Sequence, residues 1–346
     1  MSQATITEPT APAAGSRNGA GTFLAKAFVR IGVLPILLVG ALIIFTLMSD
    51  NFLTTSNLVS ALRQNSYIVI ATLAQFVVLL SGGFDLSIGS ITALVSVTTA
   101  TAMAGQHGSP AAAIAVGILV GLLTGLVCGL VNALGVAALK LNPFIITLAT
   151  ASVFQGIALR VTSGVPVYGM PKEFSANFGF KNIFGLGVPV WIAIIVAIAL
   201  WVFMSRTRAG RHIYAVGSNP HAAKLSGVRD WRVLTLAYCS AGVLTAMGSV
   251  LLTARIETGE ANIGSALPLQ TIAAAVIGGV SLRGGTGSVV NAILGAIFIG
   301  LVVNGMDLAQ ITSYYQMIVL GVVLVIAVTA DRLRQRVAAA VLAGKV

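Results

Sequence analysis

The chain is a succession of apolar stretches, each about as long as a lipid bilayer is thick, separated by short polar breaks. A bilayer core takes about 20 helical residues, and backbone polar groups inside it must be satisfied within the segment. Breaks fall where Gly, Pro, Asn and charged residues gather. They delimit ten expected spans, roughly 31–49, 60–81, 87–104, 111–137, 143–161, 188–205, 233–253, 266–281, 287–305 and 313–330. The second carries Arg63, Gln64 and Asn65, and the eighth carries Pro268 and Gln270. Counts of nine or eleven therefore stay open.

Composition supports lipid as the main solvent. Only 8% of the 346 residues are charged and 57% are hydrophobic, against about 25% charged in soluble domains. The net charge of +11 does not point to nucleic acid. No aromatic-basic groove pattern accompanies it, and the cations sit at helix ends and in loops. Lys and Arg collect on the cytoplasmic side of membrane proteins. With both termini inside, all cations fall there except Arg63, Arg160, Lys172, Lys181 and Arg255. The fold expected is an all-α integral membrane protein of about ten transmembrane helices, with cytoplasmic N- and C-termini. Residues 1–22 read as a disordered cytoplasmic tail, 23–334 as the transmembrane domain and 335–346 as a second cytoplasmic tail. No signal peptide is evident. Segment 160–187 is expected to be an extended external loop with room for a short surface helix.

Gly117, Gly121, Gly125 and Gly129 recur every four residues. On a helix they form one smooth stripe that another backbone can approach closely. Static packing and a sliding face both fit. A weak internal echo links Gly82-Gly83-Phe84-Asp85-Leu86 to Gly278-Gly279-Val280-Ser281-Leu282, and repeated halves are common in transporters.

The segment 206–232 carries six basic residues and one acid, Asp230. Within it Asn219 suits an N-cap, Pro220 a first helical position and Gly227 a helix stop. A helix of about two turns is expected, too short to be stable alone. It must dock on the bundle, on a partner or at the headgroups.

The stretch from Arg206 through Arg211, Gly217 and Asn219, continuing Ala222-Ala223-Lys224-Leu225-Ser226-Gly227, resembles the permease subunits of bacterial ABC sugar importers of the ribose/xylose/arabinose type. Three further blocks are similar to that family: Ser81 to Ser90, Val131-Asn132 with Leu141 to Leu148, and Ile272 to Gly279 with Asn304-Gly305 and Ser313 to Gln316. The resemblance implies a passage formed by two permease subunits, identical or different. It also implies a cytoplasmic ATPase, an external or periplasmic solute-binding protein, and residence in the bacterial cytoplasmic (inner) membrane. Arg211, Gly217, Asn219, Ala222, Ala223, Leu225 and Gly227 would couple to the ATPase. No cofactor is expected on this chain, with ATP bound by the partner; the sequence has no G-x-x-x-x-G-K-[ST] loop. One departure stands out. Pro268 and Gln270 occupy positions where relatives often carry an acidic pair, so a sugar alcohol or another small polar solute is also possible.

Asp85 precedes the third span and is expected to cap it, with a gate or ion pair as the sharper alternative. Gln75, Asn132, Gln155 and Asn304 lie within spans and need partners or water. Together with Asp85 and Phe144 they are candidates for the translocation path or gate, with interhelical hydrogen bonding as the competing role. Cys128 and Cys239 lie in apolar runs. His107, His212 and His221 are scattered, so no metal site is expected. No paired carboxylates or nucleophile–base set suggests an enzyme. An ion-coupled secondary transporter, a membrane enzyme, and an ABC permease for a branched-chain amino acid or nucleoside are the rival readings.

Overall fold

The computed structural model describes residues 34–106 and 108–342. The expectations for the tail 1–22, His107 and residues 343–346 lie outside them. The chain divides into two units, Val33–Asp331 and Met1–Gly32 with Arg332–Val346. The bundle below is the first. Of the second, residues 332–342 are helical.

Polar caps and prolines set where the helices begin. Helix α1 spans Leu34–Met48 and α2 spans Thr55–Leu80. The Thr54 hydroxyl accepts from Asn57 N–H at 3.3 Å, starting α2. Helix α3 is Ile88–Ala104. Helix α4 is Pro110–Ala133, prolonged by a π turn over Leu134–Ala138, and α5 is Pro143–Thr162. Ser109 and Asn142 cap α4 and α5, each followed by a proline. That order uses a donor-free residue where the helix has no acceptor to offer it. Pro189 and Pro268 lie one residue further in, second in α7 and α11.

The expected external loop folds into a helical turn, α6 (Lys172–Phe174), a π segment over Ser175–Phe180, and a hairpin of β1 (Asn182–Ile183) and β2 (Leu186–Gly187). Phe184 and Gly185 have φ of 51° and 80°, as a two-residue type I′ turn requires. The remaining helices are α7 (Val188–Arg206), α8 (Arg208–Ser218), α9 (Pro220–Leu225), α10 (Asp230–Ile256), α11 (Leu267–Ile277), α12 (Val289–Leu308) and α13 (Ser313–Leu342).

A helix lies in every expected window. Six are long and apolar enough to cross a membrane alone: α2, α4 with its π turn, α5, α7, α10 and α12. Helices α1, α3, α11 and the apolar start of α13 are shorter. Helix α2 is the hub, buried continuously from Ile68 to Leu80. Helix α5 instead leaves Ile145, Leu148, Val153 and Ile157 exposed. Such a face suits lipid, because lipid tails and aliphatic side chains are equally apolar.

Close packing must therefore hold the helices together. The glycine stripe of α4 provides it. A Cβ on Gly117 or Gly121 would strike Met103 or Thr99 of α3. One on Gly125 or Gly129 would strike the carbonyls of Gly242 or Tyr238 on α10. The stripe's slow drift around α4 hands it from one neighbour to the next, and both contacts are already closed.

The connections sort to two ends. At the first end the turns 81–87 and 278–288 meet α8. Gly285 N–H donates to the Leu80 carbonyl at 2.9 Å, and Tyr214 Oη to the Gly287 carbonyl at 3.1 Å. At the second end Val167 and Gly259 exchange two backbone hydrogen bonds of 2.9 Å, and Arg63 donates to Asn182 at 3.0 Å.

The sequence echo is real in structure, displaced by one residue. Gly82 N–H donates to Leu79 and Gly83 N–H to Val78; Gly279 N–H donates to Val276 and Val280 N–H to Ala275. Gly82 and Gly279 have φ of 83° and 86°, the left-handed exit that glycine favours. Gly82 thus matches Gly279 rather than Gly278.

The window 266–281 needs correction. Helix α11 has 11 residues, about 17 Å at 1.5 Å per residue, little over half of a ~30 Å core. It stops at the Gly278-Gly279 turn. The stretch 257–266 supplies the missing depth as non-helical chain running antiparallel along α3. Glu260 N–H reaches Ser96 Oγ at 3.2 Å, Gly259 faces Ala100, and Gly264 faces Gly89 and Thr92.

Candidate functional site

The segment 206–232 forms an arm at the first end. Asn219 Oδ1 accepts from Ala222 N–H at 3.0 Å, Pro220 opens α9, and Gly227, with φ of 81°, follows its end. Ala223 is buried, whereas Ala222 and Arg211 are exposed and Leu225 is 79% exposed. An exposed leucine on a six-residue helix has no packing reason within the subunit.

Sequence reasoning missed α8, the other half of the arm. Thr207 caps it, accepting from Gly210 N–H at 3.0 Å. Gly210, Ile213, Val216 and Gly217 form its buried face. That three-to-four-residue spacing was the available signal, hidden by the surrounding basic residues. Gly217 fixes the arm to the bundle. A Cβ there would collide with the Leu80 carbonyl and sit 2.7 Å from Gly285 N. Ser218 Oγ adds a bond to the Gly285 carbonyl at 3.3 Å.

Asp85 and Asn132 come together beside this junction, both essentially inaccessible to solvent. Asp85 Oδ1 accepts from the Ser87 amide at 2.8 Å and from the Ser87 hydroxyl. Asn132 Nδ2 donates to Ser87 Oγ at 2.8 Å and contacts Asp85 Oδ2 at 3.5 Å. Thr150 donates to Asn132 Oδ1 at 2.6 Å, while Leu86 N–H donates to Thr147 at 3.1 Å. The capping expectation shifts. Ser87 holds the N-cap position of α3, and Asp85 organises the turn before it. Its partners are neutral, so an ion pair is not what holds it. Burial pushes its carboxyl up to about 6, against the hydrogen bonds of Ser87 and Asn132. The turn thereby links α3, α4 and α5. Tyr238 Oη of α10 also donates to the Phe84 carbonyl at 2.9 Å.

The other path candidates are dispersed. Gln75 is fully buried in α2, and neither amide atom has a partner among the described residues. Gln155 donates to the Ala261 carbonyl at 2.7 Å, anchoring the non-helical stretch to α5. Asn304 exchanges two hydrogen bonds with Asn57, at 2.9 and 3.0 Å, joining α12 to α2. Phe144 lies in the first turn of α5 and is 51% exposed. Among the described residues no group of three or more His, Cys, Asp or Glu could hold a metal.

Comparison with known proteins fits this architecture. The ribose import permease protein of Bacillus subtilis is 39% identical over 84% of this chain and 89% of its own length. The D-allose transport system permease protein of Escherichia coli is 36% identical over 88% and 92%. The L-arabinose transport system permease protein of the same organism is 36% identical over 75% and 77%. No solved structure matches the chain. Residues 57–328 match the family model described as the branched-chain amino acid transport system / permease component. A polytopic helical bundle, similar over most of its length to import permeases and matched across those residues, belongs to that family of membrane permease components.

Proposed function

We propose that this chain is the membrane-spanning subunit of an ABC importer that carries a monosaccharide or closely related polyol into the cytoplasm of a bacterium. A separate ATPase supplies the energy and a solute-binding protein delivers the cargo. The observation that carries this reading is the arm. It presents exposed Leu225 on a capped short helix and is fixed by Gly217 against the bundle. A partner gripping α9 would move α8, then the paired turns 81–87 and 278–288, then the helices joined by Asp85 and Asn132. Arg211 and Ala222 lie on the free surface of the arm, and Asn219, Ala223 and Gly227 shape it.

Further parts of the reading follow. The reading includes ten crossings, supported by the helix that lies in each of the ten windows. The first end carries Arg208, Arg211, Lys224, Arg229, Arg232 and Arg283, which favours it as the cytoplasmic one. The lipid-like outer faces of α4 and α5 leave room for a second permease subunit in the inner membrane. Gln75, whose buried amide wants partners, is the path candidate best placed to meet water or solute as helices move.

The test is co-purification and coupling. Leu225→Glu and Ala222→Arg should cut ATP-driven uptake in proteoliposomes by about tenfold or more, as loss of a central apolar contact does, with membrane levels preserved. Unchanged uptake together with unchanged ATPase assembly would reject the arm as the coupling element.

A further inference from the structure

We propose that the place where the crossing 257–277 changes from irregular turns to helix is a transient binding site for an uncharged, polyhydroxylated solute, with Arg255, Tyr67 and Gln270 as its polar contacts. The inference rests on the importer reading and names the solute class and the residues that select it. A cavity of about 470 Å³ lies there between α2, α10 and the start of α11. That is within the range of about 300–1,000 Å³ typical of small-molecule pockets. Its wall includes Gly264 and Ser265 of the non-helical stretch. Non-helical chain at membrane depth is tolerated only where protein buries it or where it lines a wet cavity. Interrupted crossings that expose a helix start in the membrane are where transporters hold their cargo. Helix α11 starts here with no side-chain cap, so its positive end adds to the charge of Arg255.

The lining chemistry selects a class. Arg255, Tyr67, Gln270 and Ser265 contribute polar side chains, and among the described residues no Asp or Glu lines the cavity. The Arg255 guanidinium lies beside the Tyr67 hydroxyl, with Asp307 also within electrostatic reach of that hydroxyl but outside the lining. Arginine only donates, whereas Tyr, Gln and Ser both donate and accept. A sugar hydroxyl can satisfy both kinds of group. An amino acid could set its carboxylate against Arg255, but among the described residues the wall offers no carboxylate to its ammonium, and the leucine comparison below decides between the two solutes. Two other cavities, of about 350 and 520 Å³, are walled mainly by aliphatic side chains such as Val190, Ile194, Val196 and Leu244. They suit acyl chains, and the contrast singles out the polar one. The site is held open by its frame: Gln155, Ser96 and Val167 fix residues 259–261 just upstream.

Two measurements test it. In membrane vesicles bearing the full chain with Ser265→Cys, a membrane-impermeant maleimide should label the new thiol. Excess D-ribose should slow labelling about threefold or more, L-leucine should not, and adding Arg255→Gln should remove the ribose effect. An unlabelled thiol, absence of ribose protection, or equal protection by leucine overturns the site. In proteoliposomes holding the complete transporter, Arg255→Gln and Gln270→Ala should lower ribose uptake per ATP hydrolysed by about tenfold, the value of one or two polar contacts. Arg255→Lys should recover part of it, and stimulation of ATPase by the loaded binding protein should persist. Unchanged uptake per ATP overturns the inference, and so does loss of that stimulation, which would assign Arg255 to docking. Wild-type ribose uptake that needs no ATPase would instead overturn the importer reading, leaving the labelling result standing.

Discussion

The two ends of the bundle are built on opposite plans. At the first end, the arm and the turns 81–87 and 278–288 meet through backbone. Gly217 abuts the Leu80 carbonyl, and Gly285 N–H donates to the same carbonyl. At the second end, the hairpin and residues 257–261 are tied by scattered bonds, and just inside them chain and helix part around a cavity. Backbone contacts without intervening side chains leave no slack, because close-packed interiors transmit displacement. An open space whose wall mixes polar and apolar groups does the reverse and admits a guest. The difference separates a part that conveys force from a part that receives solute.

The comparison can be broken at the first end. Gly217→Val should have the largest effect. Its side chain would enter the space of the Leu80 carbonyl and the Gly285 amide, an overpacking of about 1–3 kcal/mol or more. Uptake should fall to background while immunoblots show the chain in the membrane and Ser265→Cys still labels. Asn132→Leu comes next. It leaves the Ser87 and Thr150 hydroxyls without their amide partner and should cost about 1–3 kcal/mol, read as a lower melting temperature in detergent. Asp85→Asn should be mildest, since an amide oxygen can still accept from Ser87, and substantial transport should remain. It sharpens the picture through pH. A buried acid whose carboxyl titrates near 6 instead of 3.8 binds its proton more tightly when folded. Its stabilising contribution is full below the lower value and is lost as pH rises through the upper one. The wild-type melting temperature should therefore decline across that window, and the Asn variant should flatten the decline. A wild-type profile without slope would show Asp85 ionised throughout.

Much of this was legible in the sequence, for identifiable reasons. Apolar runs of bilayer length can hardly be anything but helices, and the ten windows each contain one. The Asn219-Pro220 start and Gly227 stop announced α9 because capping is local. The union of Asp85 with Asn132 was not legible: each could be flagged as an uneasy polar group, but 47 positions separate them and only packing decides who satisfies whom. The half-helical crossing was hidden for another reason. Residues 257–266, with Glu257, Glu260, Asn262 and two glycines, read as an ordinary loop between spans, and only packing lays that non-helical chain along α3. Arg255, set aside as an exception to the charge bias, owes its place to that break.

The prolines that open α4 and α5 have a consequence for the membrane itself. A helix that begins at proline cannot recruit another turn upstream when the surrounding lipid thickens, because the ring fixes the start and disfavours helix in the residue before it. These two segments must answer a change in bilayer thickness by leaning as rigid rods. The protein's choice of lipid environment is thereby written into inclination rather than length.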